Sequence, residues 1–300
     1  MKKVLMITTG GTIACRQTNQ GLRPILTGED LLTPAIADVC QVDLCNLMQI
    51  DSTDMRYPKM YEIAQKIWEK RGDHDGFVVT HGTDTMAYTA AFLSWVLPDL
   101  GKPVILTGSM HPFGVPDSDA PENLTGAMVC AASDYQGVGL FDSGKLFYSR
   151  EVTKGEAEKA DAFCAPNGQP DGTWHPDSGL QLTCLRQTQG EGRLLPLPQK
   201  TITLLRLTPA VTAQQVQMLG QNSQALILEA FGAGGIPAAL VETVGEICRQ
   251  GIAVYLKTQC WTGGSNLHKY QVGYRALEMG VVDLGTITTE NALAQALFQA

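Results

Sequence analysis

The chain has no apolar run long enough to cross a membrane and no C-x-x-C pair among its cysteines. Lys2 and Lys3 imitate the positive start of an export signal, but the apolar run behind them, residues 4–7, is too short for one. A cytoplasmic location follows as the expectation. The eight cysteines (Cys15, Cys40, Cys45, Cys130, Cys164, Cys184, Cys248, Cys260) then read as reduced thiols, mostly packing. Five histidines (His74, His81, His111, His175, His268) form neither H-E-x-x-H nor a His–Cys cluster, so no metal is expected. Basic residues are the minority, 22 against 30 acidic, and the net charge of -8 argues against nucleic acid or an anionic membrane as the main partner. Internal repeats and low-complexity tracts are also lacking.

What is present describes a folded protein. Hydrophobic content of 44% with 17% charged residues suits a packed core, and 300 residues suit one large domain or two unequal ones. Short apolar runs recur: "VLMITTGG" from residue 4, "GFVVTHGTD" from 76, "PVILTGSM" from 103, "QALILEAFGAGG" from 224 and "IAVYLKTQC" from 252. Each is bounded by Gly or hydroxyls, as strands buried on both faces of a parallel sheet are. Helical stretches lie between them. "MYEIAQKIWEKRG" puts Met60, Ile63, Ala64, Ile67 and Trp68 on one face; "TMAYTAAFLSWVL" is apolar nearly all round; "ALVETVGEICRQG" stops at Gly251. Thr212 and Gln215 carry a capping-box spacing. The alternation predicts an α/β fold with ligands bound beyond the carboxyl ends of its strands. Residues 186–200 change to Gly, Gln and Pro without periodicity. They divide the chain into an N-terminal domain over 1–188, a linker over 189–199 and a C-terminal domain over 200–300.

Three strand-end loops hold the chemistry. "TTGGT" at 8–12 lacks the lysine of a phosphate-binding P-loop and the third glycine of a dinucleotide fingerprint, which leaves a plain turn or a presented threonine. "THGTDT" at 80–85 reads equally as a helix cap. "QIDSTDM" at 49–55 reads as a turn. Together they supply hydroxyls, carboxylates and close-approach glycines, an inventory for a small zwitterion and for catalysis by a hydroxyl beside a lysine base.

"TTGGTIA" at 8–14 and "THGTDTMAYTA" at 80–90 resemble the two signature loops of the L-asparaginase (asparaginase/glutaminase) family, closest to its cytoplasmic bacterial type I branch. "IDSTDM", "PVILTGSM", "ADAF", "EAFGAGGIP" and "TQC" extend the resemblance over most of the chain. It implies a larger N-terminal domain with a parallel Rossmann/flavodoxin-like sheet and a smaller C-terminal α/β domain. It also implies a homodimer or homotetramer, no cofactor, and hydrolysis of L-asparagine, with L-glutamine as an alternative substrate.

By the motif match Thr12 is the nucleophile and Thr83, Asp84 and Lys154 form a second polar set, Asp84 also taking the substrate α-ammonium. Gly11, Asp51, Ser52, Thr53 and Gly82 fall in the substrate-gripping loops, and the Ser109 backbone carbonyl holds the leaving amide. Where many members carry a lid tyrosine in G-Y-x-P, "QGLRPIL" has Leu22, which motivates a non-catalytic amino-acid sensor as another reading. Amidotransferase subunits sharing these motifs carry a further N-terminal domain; the chain's start at the first strand is read as lacking it. His81 is read as structural. Trp68, Trp95, Trp174 and Trp261 are read as packing or interface residues. Cys260 is read as a buried strand-end thiol rather than part of an allosteric asparagine pocket.

Overall fold

The computed structural model describes residues 1–19, 21–188 and 190–299. Gln20 of the lid sequence and Gln189, the first residue of the expected linker, lie outside the described residues. The chain divides into two units, Met1–Leu197 and Pro198–Ala300.

Twelve strands occur among the described residues of the first unit: β1 (Lys3–Gly10), β2 (Cys15–Thr18), β3 (Gly21–Pro24), β4 (Gln41–Ile50), β5 (Gly76–Thr80), β6 (Pro103–Thr107), β7 (Gly137–Asp142), β8 (Lys145–Tyr148), β9 (Thr153–Lys154), β10 (Phe163–Cys164), β11 (Gly172–His175) and β12 (Gly179–Leu182). Eight of them make one sheet in the order β12-β11-β8-β7-β6-β5-β1-β4. The five strands from β7 to β4 pair in parallel. β8, β11 and β12 extend the sheet antiparallel, an edge that the apolar-run pattern does not predict. β5 and β6 are buried throughout, as strands sandwiched between helical layers must be.

Among the described residues five α-helices accompany them: α1 (Gly28–Leu31), α2 (Pro34–Val39), α3 (Tyr57–Lys70), α4 (Thr83–Val96) and α5 (Ala120–Ala131). α3 buries Met60, Ile63, Ala64 and Ile67, the spacing read from its sequence. Trp68 is half-buried, with the Arg71 guanidinium 3.6 Å over its ring. α4 buries residues on nearly all sides, because its apolar positions do not fall on a single stripe. Backbone N–H groups of Arg193 and Leu195 donate to the Pro98 and Val96 carbonyls near the end of α4.

In the second unit β13 (Ile202–Arg206), β14 (Ala225–Ala230), β15 (Ala253–Thr258) and β16 (Val282–Asp283) form a parallel sheet in that order. It packs with α6 (Ala213–Gln221), α7 (Ala238–Arg249), α8 (Gln271–Glu278) and α9 (Thr289–Phe298). α6 begins with the capping box of Thr212 and Gln215. Gly251, just past α7, takes φ +82°, the left-handed geometry that ends a helix. The fold is therefore α/β, with a large, mainly parallel sheet and a separate smaller C-terminal domain with its own parallel sheet.

One expectation needs correction. Cys260 is exposed rather than buried, because β15 ends at Thr258 and the chain turns outward there. Trp261 beside it is 56% exposed, which sets aside core packing and leaves the interface half of the expectation. No disulfide joins the described cysteines. Among the described residues no helix is long and apolar enough to cross a membrane.

Candidate active site

The carboxyl ends of β4, β1, β5 and β6 lie side by side because these four strands are parallel neighbours. The loops after them carry the three hydroxyl-rich sequences and the Gly108–Ser109 turn. Backbone bonds fix their heights: Gly11 N–H donates to the Ile50 carbonyl at 3.0 Å, and His81 N–H to the Thr107 carbonyl at 2.8 Å. The Thr9 hydroxyl donates to the Thr80 carbonyl at 2.8 Å. Hydroxyls at the buried strand ends thus stitch one loop to the next.

Glycine decides how closely the loops approach. Gly11 has φ +76°, and a β-carbon on it would lie 2.3 Å from the Gly82 backbone. One on Gly82 would lie 2.6 Å from the Ser52 side chain. Three loops therefore touch at Gly11, Gly82 and Ser52, which requires residues without Cβ at positions 11 and 82. Ser52 is buried, and its carbonyl accepts the Thr85 hydroxyl at 2.8 Å.

A cavity of about 200 Å³ opens over this contact, lined by Gly11, Thr12, Cys15, Leu22, Pro24, Asp51, Ser52, Gly82, Thr83 and Asp84. Thr12 sits in a 3-10 turn directly after β1, and Thr83 is the first residue of α4. Lys154 reaches in from β9: its ammonium donates to Thr83 Oγ1 at 2.9 Å and to Asp84 Oδ1 at 2.7 Å. Thr83 Oγ1 also lies 3.6 Å from Met110 Sδ, a weak acceptor that turns its proton away from the lysine. The lysine side chain is mostly buried while Asp84 is half-exposed, so the pair is partly screened by water.

Cys15, Leu22 and Pro24 make the apolar wall and come from the β2–β3 hairpin, in which Cys15 pairs with Pro24 and Gln17 with Leu22. The Cys15 thiol donates to the Gly11 carbonyl at 3.3 Å, and burial raises its pKa, so it stays a neutral thiol.

Three sequence-derived candidates do not line the cavity: Lys154, which stands behind Thr83 and Asp84, and Thr53 and Ser109. Thr53 is exposed, and its N–H and hydroxyl donate to Asp51 Oδ1 at 2.8 and 2.9 Å, closing the 3-10 turn Ser52–Asp54. Ser109 is fully buried and donates its hydroxyl to the His111 carbonyl. The turn before it lies directly behind Thr83: a β-carbon on Gly108 would lie 3.5 Å from Thr83 Cγ2. His81 is buried without exposure; its ring accepts the Thr89 hydroxyl and donates to the Gly82 carbonyl. Burial lowers its pKa from 6.5 to about 4, which keeps it neutral and structural. Cys15, Pro24 and Met110 were not among the candidates. Cys15 was legible as the residue that follows the signature loop directly; Met110 needs the fold.

The N-terminal model of the asparaginase family matches residues 3–185, and the glutaminase/asparaginase C-terminal domain matches residues 201–298. The chain belongs to the asparaginase family. The L-asparaginase 1 of Escherichia coli K12 is 34% identical over 312 residues, spanning 98% of this chain and 90% of its own. The solved thermostable L-asparaginase from Thermococcus kodakarensis superposes with a TM-score of 0.92 at 32% identity, covering 99% of this chain and 92% of its own. A glutamyl-tRNA(Gln) amidotransferase subunit of Pyrococcus horikoshii is 29% identical, spanning 98% of this chain and 71% of its own. Asparaginase-family membership supports an amidohydrolase, and the loops carrying the family resemblance are the ones that meet at the cavity.

Proposed function

We propose that the protein hydrolyses the side-chain amide of L-asparagine to L-aspartate and ammonia through a threonine acyl-enzyme. The observation that carries this reading is Thr83 hydrogen-bonded to the Lys154 ammonium, in a cavity that Thr12 also lines. Thr12 Oγ1 attacks the amide carbon, and its proton passes to the departing nitrogen, which leaves as ammonia when the C–N bond breaks. Water then attacks the ester, the C–O bond to Thr12 breaks, and the hydroxyl recovers a proton. Thr83 and Lys154 orient and relay protons, while Asp84 and Asp51 attract the substrate ammonium and Ser52 bonds its carboxylate. Gly11 and Gly82 give the substrate clearance to approach the backbone, and N–H groups near Thr12 or Thr83 face the developing oxyanion, where one donor is worth about 3 kcal/mol.

The cavity also admits L-glutamine as a second substrate, since one methylene discriminates by only about 1–3 kcal/mol. A homodimer or homotetramer working in the cytoplasm completes the reading. Leu22, 51% exposed at the cavity wall, favours the sensor alternative: no phenol stands there to assist Thr12. Purified protein incubated with asparagine decides between them. Ammonia and aspartate in equal amounts support hydrolysis; calorimetric binding of asparagine with neither product establishes the sensor. Separate kcat/KM values for asparagine and glutamine rank the substrates, and equal values overturn a dedicated asparaginase.

A further inference from the structure

Asp142 ends β7, is buried to 1% exposure, and takes no part in the reaction proposed above. One of its oxygens accepts the Ala162 N–H at 3.1 Å. The Ala162 carbonyl in turn accepts the N–H groups of Gly155 and Glu156 at 2.8 and 3.2 Å, and Phe163 pairs with Lys154 across β9 and β10. The other oxygen accepts the side-chain amide of Asn123 at 3.3 Å. Asn123 also donates to the Gly108 carbonyl at 3.1 Å and to Asp119, while its own carbonyl accepts the Ser143 N–H at 2.9 Å. Asp119 holds the N–H groups of Met110 and His111 at 2.8 and 2.9 Å.

We propose that Asp142 is a positioning residue that ties the hairpin carrying Lys154 to the turn carrying Ser109 and Met110. Two parts of the candidate site that meet at Thr83 come from segments more than forty residues apart. Asp142 is the buried group that bonds toward both, through Ala162 on one side and Asn123 on the other. A buried carboxylate that accepts two donors fixes their separation, and a misplacement of about 1 Å at a reacting group costs on the order of 100-fold in rate.

The ionisation of this carboxyl supports the assignment. Burial first, then the negative charges of Asp119 and Asp161, raises its pKa to about 7, against the Ala162 and Ser143 hydrogen bonds that favour the ionised form. Asp161 is paired with Lys145 at 2.6 Å, and Asp119 with His111 at 3.3 Å. Below that pH one acceptor oxygen becomes a donor facing donors, and the tie loosens.

The test has a kinetic arm, which rests on the hydrolase reading, and a structural arm, which does not. In Asp142→Ala, hydrogen exchange should quicken together at Gly155–Glu156 and at Met110–His111. Acceleration at one segment alone, or at neither, overturns the coupling. In Asp142→Asn, kcat should fall about 10- to 100-fold at alkaline pH with a smaller change in KM. The wild-type/variant ratio should shrink as pH falls through about 7, where wild type itself is protonated. A ratio constant with pH means mere structural damage and overturns the proposal. Should Asp142→Asn fail to fold, Asp161→Asn replaces a half-exposed side chain and should shift the acid limb of wild-type-like activity to lower pH; an unmoved limb refutes the assignment. If wild type releases no ammonia, the hydrolase reading falls, and the exchange experiment still decides the coupling.

Discussion

Gly11 and Gly82 meet backbone to backbone: a β-carbon on Gly11 would stand 2.3 Å from both the Cα and the N of Gly82. No side-chain rearrangement relieves a clash with backbone. Gly11→Ala, also strained by its positive φ, should lower stability by about 2–3 kcal/mol or more and abolish substrate binding. Thermal melting and calorimetry with asparagine check both. A variant with unchanged binding would mean that the loops need not touch.

Thr12→Val removes the proposed nucleophile at nearly constant volume, so the melting temperature should hold while kcat drops on the order of 1000-fold or more. Retained turnover takes Thr12 out of its role. Thr83→Val and Lys154→Met break one hydrogen bond from its two sides. Their effects on kcat should not add: the double variant should be about as slow as the worse single one.

Thr53 makes the contrasting case. Its hydroxyl serves Asp51, so Thr53→Ala should cost up to about 1 kcal/mol of stability and change kcat less than about threefold. A large rise in KM instead would place Thr53 against substrate.

His81 and Asp142 give opposite pH dependences of stability. His81 has a folded pKa of about 4 against 6.5, so its contribution is complete above 6.5 and is lost as pH falls toward 4, roughly 3 kcal/mol at most. Asp142 is raised from 3.8 to about 7, so its contribution is present below 3.8 and is lost as pH rises through 7. Urea unfolding across this range should show Asp142→Asn steepening the acid-side loss and His81→Gln flattening it. Parallel curves for wild type and both variants would refute the two assignments.

Leu22→Tyr supplies a phenol at the cavity wall. Asparagine turnover should rise with the melting temperature unchanged, because residue 22 is already exposed at the hairpin. Unaltered kcat would mean the hairpin holds this position away from the reacting atoms.

The strand ends were legible because strands buried on both faces must be apolar throughout, so each run stops where a hydroxyl or glycine begins. Thr12, Thr83 and Asp84 follow such stops directly. β4 escaped this pattern: "QVDLCNLMQI" is half-exposed along most of its length, and as the sheet's edge strand it shows neither a continuous run nor clean alternation. Asp142 was invisible for a different reason. Asp119 and Asn123 stand four apart at the start of α5, a local signal, but Asp142, the second carboxylate that accepts from Asn123, lies nineteen residues further on and acquires meaning only through the pairing of β6 with β7. Leu22 was legible as a departure, and Cys15 by its place directly after the signature loop; that the two share one wall with Pro24 followed only from the hairpin register.

The candidate site is spread over strand ends whose spatial order, β4-β1-β5-β6, differs from their order in the chain. Parallel neighbours need long crossovers, and closing them costs entropy before any contact between the loops forms. Thr12, Ser52 and Thr83 are consequently strangers in any partly folded chain, and a nascent polypeptide acquires Lys154 only after all four of those strands have been made. Ligand affinity should therefore return in refolding experiments at the last kinetic phase of this unit, which makes asparagine binding a reporter on completion of the central sheet.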